Sequence, residues 1–325
     1  MTDVMSPETD AADQGPEPTT TDRALARISV TAPYFDLTDL VELGQGIVAA
    51  TVPPAPTVAP ETGPMEAAQV ARHLAILGSC AAALSRDDDA RHHYLATRAH
   101  YSRVSNARPA VDEPLRAEAI ASWVDRRTAR ALVKLTTAAG EALNVLDVEY
   151  TVLAPRMFAR LNPPCETAAA APDAGPLRFD VVGGDDGVTV DCGPIPVDLC
   201  AGHFPDHPAA PVAIVMGELC RAAGHGLARH LQIPDLRYRI EEGHVQATGL
   251  AQAGQHLVLR TRYAEPVRGG HRVTGEALAD GAVIGELSVT MSTSVPVPEP
   301  APDHDDDALD DWQEAGAALD GAFPC

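Results

Sequence analysis

In this 325-residue sequence the side chains best placed for chemistry are histidines and carboxylates. The densest group is the loop Ala201-Gly202-His203-Phe204-Pro205-Asp206-His207-Pro208-Ala209-Ala210-Pro211, which runs straight into an apolar stretch beginning at Val212. Imidazole titrates near pH 6.5, so such a loop suits proton transfer at neutral pH. Glu218 lies within the following apolar stretch, and Arg72 and His73 interrupt a second one, ARHLAILGSCAAAL. A charged pair there either reaches a site or lies on a polar helix edge. The six cysteines are scattered without a CxxC pair, which fits reduced thiols in a cytoplasm rather than a disulfide framework or zinc site. Cys80 and Cys220 read as buried small hydrophobes. His92-His93, and His304 with Asp305–Asp307, read as solvated surface rather than metal ligands. There is no P-loop, GxGxxG or GxSxG pattern.

The elements that must position these groups repeat once along the chain. A strand at 46–54 precedes a Pro-rich loop and a helix from Met65 to Leu84, then strands at 93–104, 115–125, 129–140 and 142–153. A hairpin at 178–192 precedes the histidine loop and a helix over 212–230, then strands at 235–252, 256–265, 271–279 and 282–293. This order implies an internal duplication, although little residue identity links the copies. The expected organisation is an acidic disordered tail (1–23), a first block (24–161), a linker (162–176), a second block (177–295) and a second acidic tail (296–325).

The chain carries 46 acidic and 24 basic residues, a net charge of −22, which is a poor match for nucleic acid or anionic lipid. Residues 1–22 and 298–325 hold fifteen of the acids and no Lys or Arg, so much of the excess lies in the tails. No unbroken apolar run approaches 18 residues, so no membrane span is expected, and the acidic start lacks the features of a secretion signal. Within the C-terminal tail, Leu309, Trp312 and Leu319 fall near one face of a short helix over 308–320, a candidate docking segment for a synthase partner.

The loop 201–211 and the helix after it resemble the GHFPGHPxxPG loop and central helix of the hot-dog 3-hydroxyacyl-acyl-carrier-protein dehydratases. The resemblance implies an α+β double hot dog: two curved antiparallel sheets, each wrapped round a long helix, as a monomer or a homodimer of such units. It implies His203 as the base at C2, with the acid supplied by the helix of the other block. The family acid lies six residues after the last Pro of the loop. Counting from Pro211 gives Gly217, whereas counting from Pro60 in the first block gives Glu66. The histidine position of the first block is Val52, so one site keeps His203 and Glu66 and the other has lost both groups. Gly202, Pro211 and Val212 would form the substrate and oxyanion pocket, Arg72 and His73 could reach the thioester arm, and Glu218 is a substitute acid. His207 is read as structural.

The implied activity is dehydration of a 3-hydroxyacyl thioester on acyl carrier protein or coenzyme A, in fatty-acid or polyketide-type metabolism, with no metal or organic cofactor. A hot-dog thioesterase or isomerase, and a non-catalytic acyl binder, are the alternatives. Asp206 and Val212 replace family glycines and would be strained if those positions required positive φ.

Overall fold

The computed structural model describes residues 17–293, apart from 56, 58, 108, 111, 164–176 and 185–186. The tail at 296–325 with its docking segment, and all but two residues of the expected linker, lie outside the described residues.

The first half opens with α1 (Thr20–Arg27), whose start is fixed by a reciprocal capping pair between Thr19 and Asp22. Order therefore begins inside the segment expected to be a disordered tail. A hairpin, β1 (Thr38–Gly44) and β2 (Ile47–Val52), leads to α2 (Ala67–Leu84), followed by β3 (His93–Arg103), β4 (Leu115–Trp123), β5 (Thr128–Thr136), β6 (Ala142–Leu153) and the short α3 (Pro155–Leu161). The second half repeats the plan. Hairpin β7 (Asp180–Gly184) and β8 (Gly187–Pro194) precede a two-residue strand β9 (Ala209–Ala210) and α4 (Val212–His230). Then come β10 (Tyr238–Ala247), β11 (Ala251–Gln252), β12 (His256–Val267), β13 (Gly270–Ala279) and β14 (Ala282–Thr293). The expected strand 235–252 is thus two pieces, because β11 leaves the main sheet to pair with β9.

Twelve strands form one antiparallel sheet in the order β1-β2-β4-β5-β6-β3-β10-β14-β13-β12-β8-β7. Each half has the same internal order: a hairpin at the outer edge and the first strand after the helix at the inner edge. The duplication expected from element order is therefore a duplication of topology. The two inner-edge strands pair at the centre, with Glu242 opposite Ser102, Gly243 opposite Tyr101 and His244 opposite His100.

α2 packs against β4, β5 and β6 of its own half and against α4. It is apolar nearly all round, and thirteen of its eighteen residues are buried, as expected for a helix enclosed by a sheet. It is also long and apolar enough to cross a membrane by length and composition, which the count of unbroken apolar residues missed because Arg72 and His73 interrupt it. Its burial makes it the core helix of this half instead. α4 buries a narrower stripe including Val215, Leu219, Ala222, Ala223 and Leu227.

Candidate active site

An apolar cavity of about 240 Å³ lies between α2, α4 and the central strands. Ala68, Ala71 and Ala75 of α2, Met216 of α4, and Val245 and Leu287 of the sheet form part of its wall. His203, Val212 and Tyr34 bring polar groups to one end.

The histidine loop is held there by a segment that the sequence reading left unassigned. Residues 28–35, between α1 and β1, lie along it: Val30 bridges to His203, Thr31 donates to the Gly202 carbonyl (2.8 Å), and Phe204 donates to the Ser29 carbonyl (3.2 Å). Gly202 has φ +75°, and a Cβ there would sit 2.3 Å from the Thr31 carbonyl oxygen, so only glycine fits this crossing. Positive φ falls on Gly202 and Phe204, while Asp206 and Val212 have ordinary backbone. The strain expected at those two substitutions is therefore absent.

His203 is buried, stacks on Phe204 (3.9 Å between centroids) and meets the edge of Tyr34 (5.2 Å). Its Nδ1 lies 3.0 Å from the Ala209 carbonyl oxygen. A carbonyl can only accept, so Nδ1 carries the proton and Nε2 keeps a free lone pair. Burial lowers the imidazole to about pKa 4, opposed by that hydrogen bond, so the ring is neutral near pH 7. The first N–H groups of α4, at Val212 and Ala213, have no partner within the helix, and both residues line the cavity. Pro211 is the residue before the helix, and its carbonyl accepts from Ile214 and Val215.

No hydrogen bond, ion pair or charge effect joins Glu66 to His203 among the described residues. Glu66 is the residue before α2, makes no side-chain capping bond there, and its charge acts on Glu61, Glu218 and Cys220. His203 has no carboxylate partner among the described residues, and Glu66 is not part of the cavity wall. The count from Pro60 fails because the first loop runs on past that proline. Glu61 pairs with Tyr238 and the helix begins only at Ala67, whereas α4 begins directly after Pro211. Counted from the two helix starts, the acid positions are Gly217 and Arg72. At Gly217 a Cβ would lie 3.0 Å from the Ala68 Cβ, where the two helices cross.

Arg72 and His73 stand behind Tyr34. The Arg72 guanidinium donates to the Tyr34 carbonyl (3.1 Å) and to Asp36 Oδ2 (2.8 Å), and lies over the Tyr34 ring. His73 is fully buried, with Nδ1 3.1 Å from Asp36 Oδ1 but too far off line for a hydrogen bond. Burial, aided by Arg72 and opposed by Asp36, lowers His73 to about 4. Glu218 pairs with Arg221 at 2.7 Å, and burial raises its carboxyl. His207 packs its ring edge against Phe158. His93, expected on the surface, is buried and stacked on Phe158 at 3.8 Å, because α3 folds back over the start of β3.

Glu61 is the group that the sequence reading missed. Its carboxylate accepts the Ala67 N–H (2.9 Å) at the start of α2. Burial pushes it up to about 7; the Ala67 hydrogen bond opposes the shift and the Glu66 charge adds to it. An acid just before a helix start was a visible signal, but one shared by ordinary caps.

Similar architectures are found among solved structures. A tesB protein from Mycobacterium avium subs paratuberculosis covers 79% of this chain and 96% of its own, at 13% identity and TM-score 0.53. A 12:0-ACP thioesterase from Umbellularia californica covers 77% and 95%, at 10% identity and TM-score 0.50. The fold is a hot dog. A protein of unknown function with hot dog fold from Alicyclobacillus acidocaldarius covers 82% of the chain and all of its own, at 17% identity and TM-score 0.48. No protein-family model matches the sequence, and no curated protein matches it. The hot-dog part of the sequence resemblance holds, and the dehydratase part is not among these likenesses.

Proposed function

We propose that this double hot dog hydrolyses acyl thioesters, with the acyl chain in the 240 Å³ cavity and His203 as the general base. The observation that carries the reading is a neutral imidazole with a free Nε2 and no carboxylate partner among the described residues. Dehydration needs a base at C2 and an acid at C3, because hydroxide is a poor leaving group. Thioester hydrolysis needs the base alone, because a thiolate of pKa about 8.5 leaves without prior protonation.

In this reading Nε2 takes a proton from water as its oxygen attacks the thioester carbon. The Val212 and Ala213 N–H groups receive the negative charge on the carbonyl oxygen. The intermediate collapses, the C–S bond breaks, and the thiolate takes the proton back from His203. The products are a carboxylic acid and a thiol. Burial makes imidazolium costly in the empty site, and the developing oxyanion offsets that cost during the reaction. The carrier is coenzyme A or acyl carrier protein, and the free buried thiols of Cys80, Cys192, Cys200 and Cys220 fit a reducing cytoplasm.

The test is to supply acyl and 3-hydroxyacyl thioesters of both carriers and follow thiol release and loss of water by mass spectrometry. Thiol release that disappears in His203→Ala, with the melting temperature preserved, supports the proposal. Loss of water without thiol release restores the dehydratase reading. Saturable binding with neither product makes the chain an acyl-binding protein.

A further inference from the structure

The central pairing of β3 with β10 has two faces. Ala99, Tyr101, Gly243 and Val245 point inward and line the apolar cavity. The alternate residues point to the opposite face, and there His100, from the first half, stands directly across from His244 of the second, with Glu242 two residues before it on the same side. Glu242 Oε1 lies 2.8 Å from His100 Nε2 and 3.3 Å from His244 Nε2. One nitrogen from each histidine and one carboxylate oxygen thus fall within 4.8 Å of one another. His100 and His244 also line the edge of a broad polar groove on this face, beside Arg98 and Gln246.

We propose that His100, Glu242 and His244 form a binding site for a zinc-class divalent cation, which links the two hot-dog halves from the face opposite the acyl cavity. Two imidazoles and one carboxylate are the donor set that zinc takes with a fourth position left for water. With Glu242 accepting from both Nε2 atoms, a bound ion takes the place of those two protons as each imidazole shifts to its Nδ1–H tautomer. The imidazole rings lie parallel at 4.2 Å, with both Nε2 atoms directed at the same carboxylate oxygen. A bound ion draws them together by rotating the rings, and His244, whose side chain is 54% exposed, is free to make that movement. Because one ligand comes from one half and two from the other, the ion favours the paired seam over any state in which the halves separate. This site does not depend on the hydrolase reading.

The experiment uses the full chain without an affinity tag, stripped with a chelator, and titrated with zinc and separately with cobalt. The expected result is one equivalent bound, a rise in melting temperature, and a cobalt spectrum of nitrogen and oxygen ligation without the thiolate charge-transfer band that the cysteines would give. His244→Ala and Glu242→Gln, both at partly exposed positions, should each weaken binding by about tenfold or more and remove the thermal shift, while their metal-free melting stays near that of the parent. His100→Gln serves the same purpose if either variant melts early. Binding of unchanged affinity in these variants, a thiolate band, or no saturable binding overturns the proposal.

Discussion

Replacing Glu61 by Gln isolates the cost of ionising a carboxyl at the start of α2. The folded carboxyl titrates at about 7, chiefly because it is buried, against about 4.3 for an unfolded glutamate. Its folded pKa is raised, so between those values the folded protein holds a proton that the unfolded chain has released. Stability is therefore highest below about pH 4 and is lost as pH rises through 7. At about 1.4 kcal/mol for each pH unit of difference, the full loss is on the order of 4 kcal/mol. Glutamine keeps a carbonyl oxygen for the Ala67 N–H and carries no charge beside Glu66. One effect trims the gain, the extra amide N–H₂ to satisfy, at about 1 kcal/mol. Glu61→Gln should thus match the parent near pH 4 and exceed it at pH 8 by about 3 kcal/mol, a rise of several degrees in melting temperature. Denaturant melts of both proteins at intervals from pH 4 to 8 measure this directly. A difference that does not change with pH, or a variant less stable at pH 8, would show that burial does not govern this carboxyl.

Three further outcomes follow from the site. With His203 lowered to about 4, kcat/KM for thiol release should rise with a midpoint near pH 4 rather than 6.5, and stability should fall on acidification between 6.5 and 4, where the unfolded chain binds the extra proton. A midpoint near 6.5 in a pH–rate profile refutes the buried-base reading. Gly202→Ala should cost about 2 kcal/mol or more and abolish activity, since its Cβ would lie 2.3 Å from the Thr31 oxygen at the contact that holds His203; normal activity and melting exclude that constraint. The buried Tyr94 hydroxyl borders the cavity without a hydrogen-bond partner among the described residues, so Tyr94→Phe should raise stability by about 1 kcal/mol in urea melts; a loss would reveal a missed partner.

What was legible in the sequence is what local physics writes there. Alternation marked β4 and β6, an apolar run after a Pro-rich loop marked α4 at its observed ends, and repetition of element order marked the duplicated topology. β1 was not legible, because TDLVELG buries only Leu40 and so carries no alternation. Nor was the segment 28–36, which has no regular structure of its own to announce it. Its role is to lie along a loop some 170 residues away, and through Val30, Tyr34 and Asp36 it holds both His203 and Arg72. Long-range pairing of irregular chain leaves no periodic signal.

The two halves differ most where their symmetry matters most. Six residues into α2 and α4, the equivalent positions hold Arg72 and Gly217, a cation and a bare backbone, where the resemblance called for one acid. At Gly217 the constraint is steric: an added Cβ would press on the Ala68 Cβ at 3.0 Å, so a side chain needs the helix crossing to give by a few tenths of an ångström. Arg72 is not part of the cavity wall, and its guanidinium is fixed by the Tyr34 carbonyl and the Asp36 carboxylate. A guanidinium stays protonated across the physiological range, so it cannot serve as an acid that gives up a proton and recovers it. What it can do is fix the backbone and ring of Tyr34, against whose edge His203 packs. The position that would hold an acid in a dehydratase thus holds a support for His203. Under the hydrolase reading proposed above, that exchange removes one half of an acid–base pair and keeps the half that thioester hydrolysis requires.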